Sequence, residues 1–176
     1  MASGSGKDQP FRPLLDAHAV CLEKLGELEA TLDEMMARRE ATDANRGVLD
    51  ETLRFFHGEL LPHLILEDEV VLPALEAKIG RFGTLVNVIA YEHAEIRREV
   101  VKFEEALGDL YGGRDVGPAI EELNRHGLFT IQFLWDHFRK EKVSLFPTAV
   151  AELSSEELRR IRDAVPFPRT PARFAP

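Results

Sequence analysis

Apolar residues recur every third or fourth position along most of the chain, and the alternating pattern of a half-buried strand is absent. The first such stretch spans residues 11–38, with Leu14, His18, Cys21, Leu25, Leu28 and Leu32 on one face. After a polar segment (41–47) that reads as a loop, a second spans 48–78, with Leu49, Leu53, Phe56, Leu60, His63 and Glu67 in its stripe. A third spans 84–110 through Val86, Ile89, His93, Ile96, Val100 and Phe103, between Gly80/Gly83 and Gly112/Gly113, which read as helix stops. A fourth opens at Pro118 and runs through Ile120, Leu123, Thr130, Leu134, His137, Glu141 and Leu145. Ser154 followed three residues later by Glu157 is a capping-box pattern for a short fifth helix. The expectation is an all-α protein: an up-down-up-down antiparallel four-helix bundle over residues 11–150, a short C-terminal helix over 151–165, a flexible lead over 1–10 and a Pro-rich tail over 166–176.

These stripes should be wholly apolar, because they face the core. Instead each contains one histidine, and two contain a glutamate four residues after it: His63 with Glu67, and His137 with Glu141. Buried unpaired carboxylates or imidazoliums cost several kcal/mol, so these side chains need partners. Counting at 1.5 Å per residue from the helix ends places His18, His63, His93 and His137 within roughly one or two turns of the same depth. A His-x3-Glu pair stacks on one face at about 6 Å along the axis, so it can offer an imidazole to one metal and a carboxylate across to another. Both pairs also sit in a repeated His-x3-Glu-x5-Pro pattern, ending at Pro73 and Pro147, which makes the second and fourth helices look like equivalent halves. Imidazole and carboxylate together suit a dinuclear iron or manganese centre.

Composition narrows the alternatives. The 176 residues include 22 Lys plus Arg against 31 Asp plus Glu, a net charge of −9, which disfavours general nucleic-acid binding and anionic membranes. One cysteine, Cys21, excludes an internal disulfide framework and a several-thiolate site, and reads as a small core residue. No apolar run is long enough to span a membrane, and the polar first ten residues lack the apolar core of a signal peptide; the expected location is the cytoplasm.

The residues around His18, Pro62–Leu75 (PHLILEDEVVLPAL), Glu92–Val100 (EHAEIRREV) and His137–Pro147 (HFRKEKVSLFP) resemble the hemerythrin-like, or HHE cation-binding, domain over about residues 11–150. The resemblance implies a non-haem di-iron centre inside the bundle. It would put His18 and His63 on one iron and His93 and His137 on the other, with Glu67, Glu141 and an oxo or hydroxo group as bridges. It also implies a small ligand such as dioxygen, nitric oxide, peroxide or azide. Oxygen-carrying members have a His-x3-His pair on the third helix, whereas the residue four after His93 is Arg97. The missing ligand puts oxygen carriage in doubt and makes Glu59, one turn before His63, a candidate extra ligand. Manganese or zinc could substitute for iron. Asp68, Glu69 and the Arg97-Arg98-Glu99 run read as solvated charge, His57 and His126 as lying outside the centre, and Tyr91 and Trp135 as pointing away from it. Two other readings remain: a ferritin-like iron oxidase or store, whose Glu-x-x-His spacing is not found here, and a structural bundle without metal.

Overall fold

The computed structural model describes residues 9–113 and 115–165; residues 1–8 of the lead expected over 1–10 and the tail over 166–176 lie outside them. Gln9–Phe11 already form a 3-10 turn that feeds α1 (Arg12–Arg38). Three α-helical segments follow in one rod: α2 (Asp43–Phe55), α3 (Leu61–Leu66) and α4 (Leu72–Ile79), joined by π turns at Phe56–Leu60 and Glu67–Val71. The third rod is α5 (Leu85–Tyr111). The fourth is α6 (Val116–Lys140), a π turn at Glu141–Leu145, and α7 (Phe146–Glu152). The short α8 (Ser155–Ala164) completes the order. No strand occurs among the described residues.

Cross-rod contacts fix an antiparallel ring. Lys24 pairs with Glu51 and His18 meets His63, so α1 runs opposite to the second rod. Asp68 pairs with His93 while His57 pairs with Glu104. Glu92 pairs with His137 while Glu99 pairs with His126. Arg39 pairs with Glu121 while His18 approaches Glu141, which closes the ring.

The second rod begins five residues earlier than the apolar pattern suggests. The polar segment that reads as a loop is mostly helix, because Thr42 caps it: its hydroxyl accepts from the Asn45 backbone N–H, and the Asn45 side chain accepts from the Thr42 N–H. Asn stands where Glu or Gln usually completes such a box. The α6 start likewise precedes Pro118 by two residues. The capping box of Ser154 and Glu157 is present on α8.

Each π turn ends two residues before a proline. The N–H of Leu61, Leu72 and Phe146 reaches back five residues, to the carbonyls of Phe56, Glu67 and Glu141, and Pro62, Pro73 and Pro147 follow. Proline brings no N–H and its ring collides with the carbonyl four residues back, so an inserted residue lets the helix continue past it. The repeated Glu-x5-Pro pattern therefore has a structural meaning: a π turn starts at each of the two inward glutamates.

The apolar interior falls into two clusters. A larger one runs from Cys21 to Met35 on α1, across Leu49, Phe56, Phe103 and Leu123, to Phe138. A smaller one gathers Phe11, Leu14, Val71, Leu75, Ile89, Leu145 and Phe146 under Ile161 of α8. Between them lies a polar layer. Gly127 lets α6 approach α1, since a Cβ there would sit 2.4 Å from the Leu32 Cδ1.

Candidate metal centre

The polar layer is built from one histidine on each rod and the two π-turn glutamates. All six side chains singled out above are brought together there. His18, His93 and His137 are buried, His63 is slightly open, and Glu67 and Glu141 are completely buried. Their donor atoms form two overlapping groups: His18, His63, Glu67 and Glu141, and Glu67, His93, His137 and Glu141. Within each group the atoms lie within 4.8 Å of one another, and both glutamates belong to both groups.

The individual separations show how the layer is strung. Glu67 Oε1 lies 3.3 Å from His63 Nε2 and 4.0 Å from His18 Nε2, while its Oε2 lies 3.4 Å from His93 Nε2. Glu141 Oε1 lies 3.2 Å from His137 Nε2 and 3.5 Å from His93 Nε2, while its Oε2 lies 3.3 Å from His18 Nε2. His18 and His63 face each other through Nε2 at 2.9 Å. The His18 ring also stacks on Phe138, with centroids 4.1 Å apart.

Few of these inward contacts are hydrogen bonds. Both oxygens of Glu67, both of Glu141, and the Nε2 atoms of His93 and His137 are buried without a hydrogen-bond partner. Leaving such groups unsatisfied in a protein interior is costly. Six orphaned donor atoms converging on one layer is the arrangement that cations would satisfy, and neutral imidazole with carboxylate is a donor set for borderline or hard first-row metals. The residues present therefore fit a metal.

The electrostatics agree. Burial pushes His18 down to about 4, against the pull of Glu141 and Glu67. Burial opposes charge on His93 too, but its bond to Asp68 and the oxygens of Glu141 and Glu67 lift it to about 11. Burial likewise opposes charge on His137, but Glu141 and Glu92 lift it to about 9. Glu67, which burial alone would raise, is held well below the usual carboxylate range by His63, His93 and His18. Without a metal, protons on His93 and His137 thus stand beside the buried Glu67 carboxylate, and a cation would take the place of those protons.

A surrounding layer escaped the sequence reading. Asp68 is half-buried rather than solvated: it accepts from His93 Nδ1 at 2.7 Å and from Arg97. Glu92 accepts from His137 Nδ1 at 2.9 Å and is also paired with Lys140. Each acid follows or precedes an inward residue on its own rod and reaches the histidine of the next rod, so adjacency to Glu67 or His93 was the available signal. The Arg97-Arg98-Glu99 run is not a simple solvated face either. Glu99 is buried and accepts from His126 and Lys102, because α6 covers that side of α5. Glu59 is exposed and lies outside both groups. It sits in the π turn Phe56–Leu60, where the extra residue breaks the spacing that would stack it beneath His63. His57 and His126 also lie outside both groups, held by Glu104 and by Glu99 with Glu122. Tyr91 and Trp135 are exposed, and Cys21 is a buried free thiol raised to about 12 by that burial. No helix among the described residues is long and apolar enough to cross a membrane.

No curated protein matches the chain. The family model of the hemerythrin HHE cation binding domain matches residues 7–149, a span that runs from the start of the first rod into α7 of the fourth and contains all six inward side chains. The chain belongs to the hemerythrin HHE cation-binding domain family, a family of cation-binding helical bundles.

Proposed function

We propose that the centre holds two iron ions and binds or reacts with a small ligand: dioxygen, nitric oxide or peroxide. His18 and His63 would hold one ion, His93 and His137 the other, and Glu67 and Glu141 would be shared. The observation that carries this reading is the pair of ligating groups that share both glutamates, with all four glutamate oxygens and the Nε2 atoms of His93 and His137 buried without a hydrogen-bond partner. A single ion would leave one pair of histidines unused. Iron bound there brings a one-electron couple and a coordination position for a small ligand. The chain's own part is to bury the site between two apolar clusters, keep bulk water out and hold six donors on four rods. Arg97 is engaged with Asp68 rather than aimed inward, so the ligand set is smaller than that of an oxygen carrier, which favours sensing or turnover over carriage. A reducing cytoplasmic setting belongs to the same reading.

The test is metal analysis with absorption spectra, before and after azide, on protein from iron-supplemented cells. The expected result is about two irons per chain with azide-sensitive bands. His63→Ala and His137→Ala should each lower the iron content and bleach the bands, while His126→Ala should keep both. No metal, a single zinc without bands, or unchanged iron in both ligand variants would overturn the assignment. Peroxide consumption by the loaded protein then separates an enzyme from a binding protein.

A further inference from the structure

The two halves of the centre are not built alike. Around His93 and His137, each Nδ1 is bonded to a carboxylate, Asp68 at 2.7 Å and Glu92 at 2.9 Å. Each carboxylate is also held by a cation from the adjoining turn, Arg97 on Asp68 and Lys140 on Glu92. A carboxylate only accepts, so the proton of each ring is drawn to Nδ1 and Nε2 is the nitrogen turned to the glutamates. Around His18 and His63 the support is different. Among the described residues no carboxylate bonds the Nδ1 of either ring. Their Nε2 atoms bond each other at 2.9 Å, so one of the two must carry its proton on the inward nitrogen. The remaining support there is aromatic, from the stacked ring of Phe138.

We infer that Asp68 and Glu92 are positioning residues for one metal position only, aiming His93 and His137, and that the two positions of the centre are therefore chemically unequal. The inference rests on the two-metal reading above. Asp68 and Glu92 belong to neither ligating group. They act through the ring they hold: a carboxylate on Nδ1 fixes the tautomer, limits ring rotation and makes Nε2 a stronger donor. Arg97 and Lys140 anchor the two acids at the outer side of the layer. This gives Arg97 a role in the centre that does not require it to replace a ligand.

The experiment is a titration of metal-free protein with Co2+ at one fixed pH, read by calorimetry and by the visible bands of bound Co2+. The parent should take up two equivalents with distinguishable affinities. Asp68→Asn and Glu92→Gln keep the shape of each side chain and remove its charge. They should weaken one equivalent by about 10–100-fold and alter its visible bands, leaving the other equivalent unchanged. His63→Ala should remove the equivalent that those two variants leave alone. Circular dichroism confirms that each variant is folded before it is scored. Two outcomes overturn the inference while leaving the metal reading intact: equal weakening of both equivalents, or two equivalents insensitive to both substitutions. A folded parent that takes up no Co2+ overturns the metal reading itself.

Discussion

Loading of the centre should be an exchange of protons for metal, with a stoichiometry set by two histidines. The perturbation is pH during metal uptake. In the metal-free protein His93 lies at about 11 and His137 at about 9, whereas His18 lies at about 4. At neutral pH the first two carry a proton that ligation through Nε2 must expel, and His18 carries none. His63 is raised as well, so it adds to the release and never opposes it. Filling the His93/His137 position near pH 7 should therefore release about two protons. The logarithm of the apparent binding constant should climb by about two per pH unit up to about pH 9, equivalent to about 2.7 kcal/mol per unit, and by about one per unit from there to about pH 11. The assay is calorimetric titration with Zn2+ or Co2+ between about pH 6.5 and 8.5, in buffers of different ionisation enthalpy. The heat should vary linearly with that enthalpy, with the number of released protons as the slope. Heats independent of buffer, with a binding constant flat across the range, would refute the reasoning. They would mean that His93 and His137 are neutral in the metal-free layer and that the buried carboxylates are balanced in another way.

The metal-free protein should be most stable near the ordinary histidine pKa of 6.5 as far as this layer is concerned. The contributions of His137 and His93, whose pKa values are raised, are complete below 6.5 and disappear as pH rises through about 9 and about 11; the contribution of His18, whose pKa is lowered, disappears as pH falls from 6.5 through about 4. Thermal melts of chelator-treated protein check this, and a melting temperature that climbs steadily from pH 7 to 10 would contradict it. Gly127→Ala should destabilise the bundle despite adding a better helix former. The new Cβ would sit 2.4 Å from the fully buried Leu32, an overpacking cost of about 1–3 kcal/mol against about 1 kcal/mol gained in helix propensity. A melting temperature above that of the parent would show that α1 and α6 part without penalty.

The sequence alone determined the number and approximate length of the bundle helices and the inward side of each. A period near 3.6 is a local property, and a histidine or glutamate inside an apolar stripe stands out without any knowledge of neighbours. Counting along helices even brought His18, His63, His93 and His137 to one level, because the rise per residue is fixed. What lies beside a stripe is not a local property. Asp68 and Glu92 sit about 100° round the helix from Glu67 and His93, where a charge reads as solvated unless another rod happens to cover it. Only the packing of α5 against the second rod, and of α6 against α5, turns Asp68 toward His93 and Glu92 toward His137. The same packing buried Glu99 under His126. The π turns also depended on more than periodicity: the prolines were visible, but the extra residue before each one shifts the register, and with it Glu59 moves out to solvent. Periodicity gave each helix its inward face; the identity of the facing helix gave the centre its outer acids and made its two halves unlike.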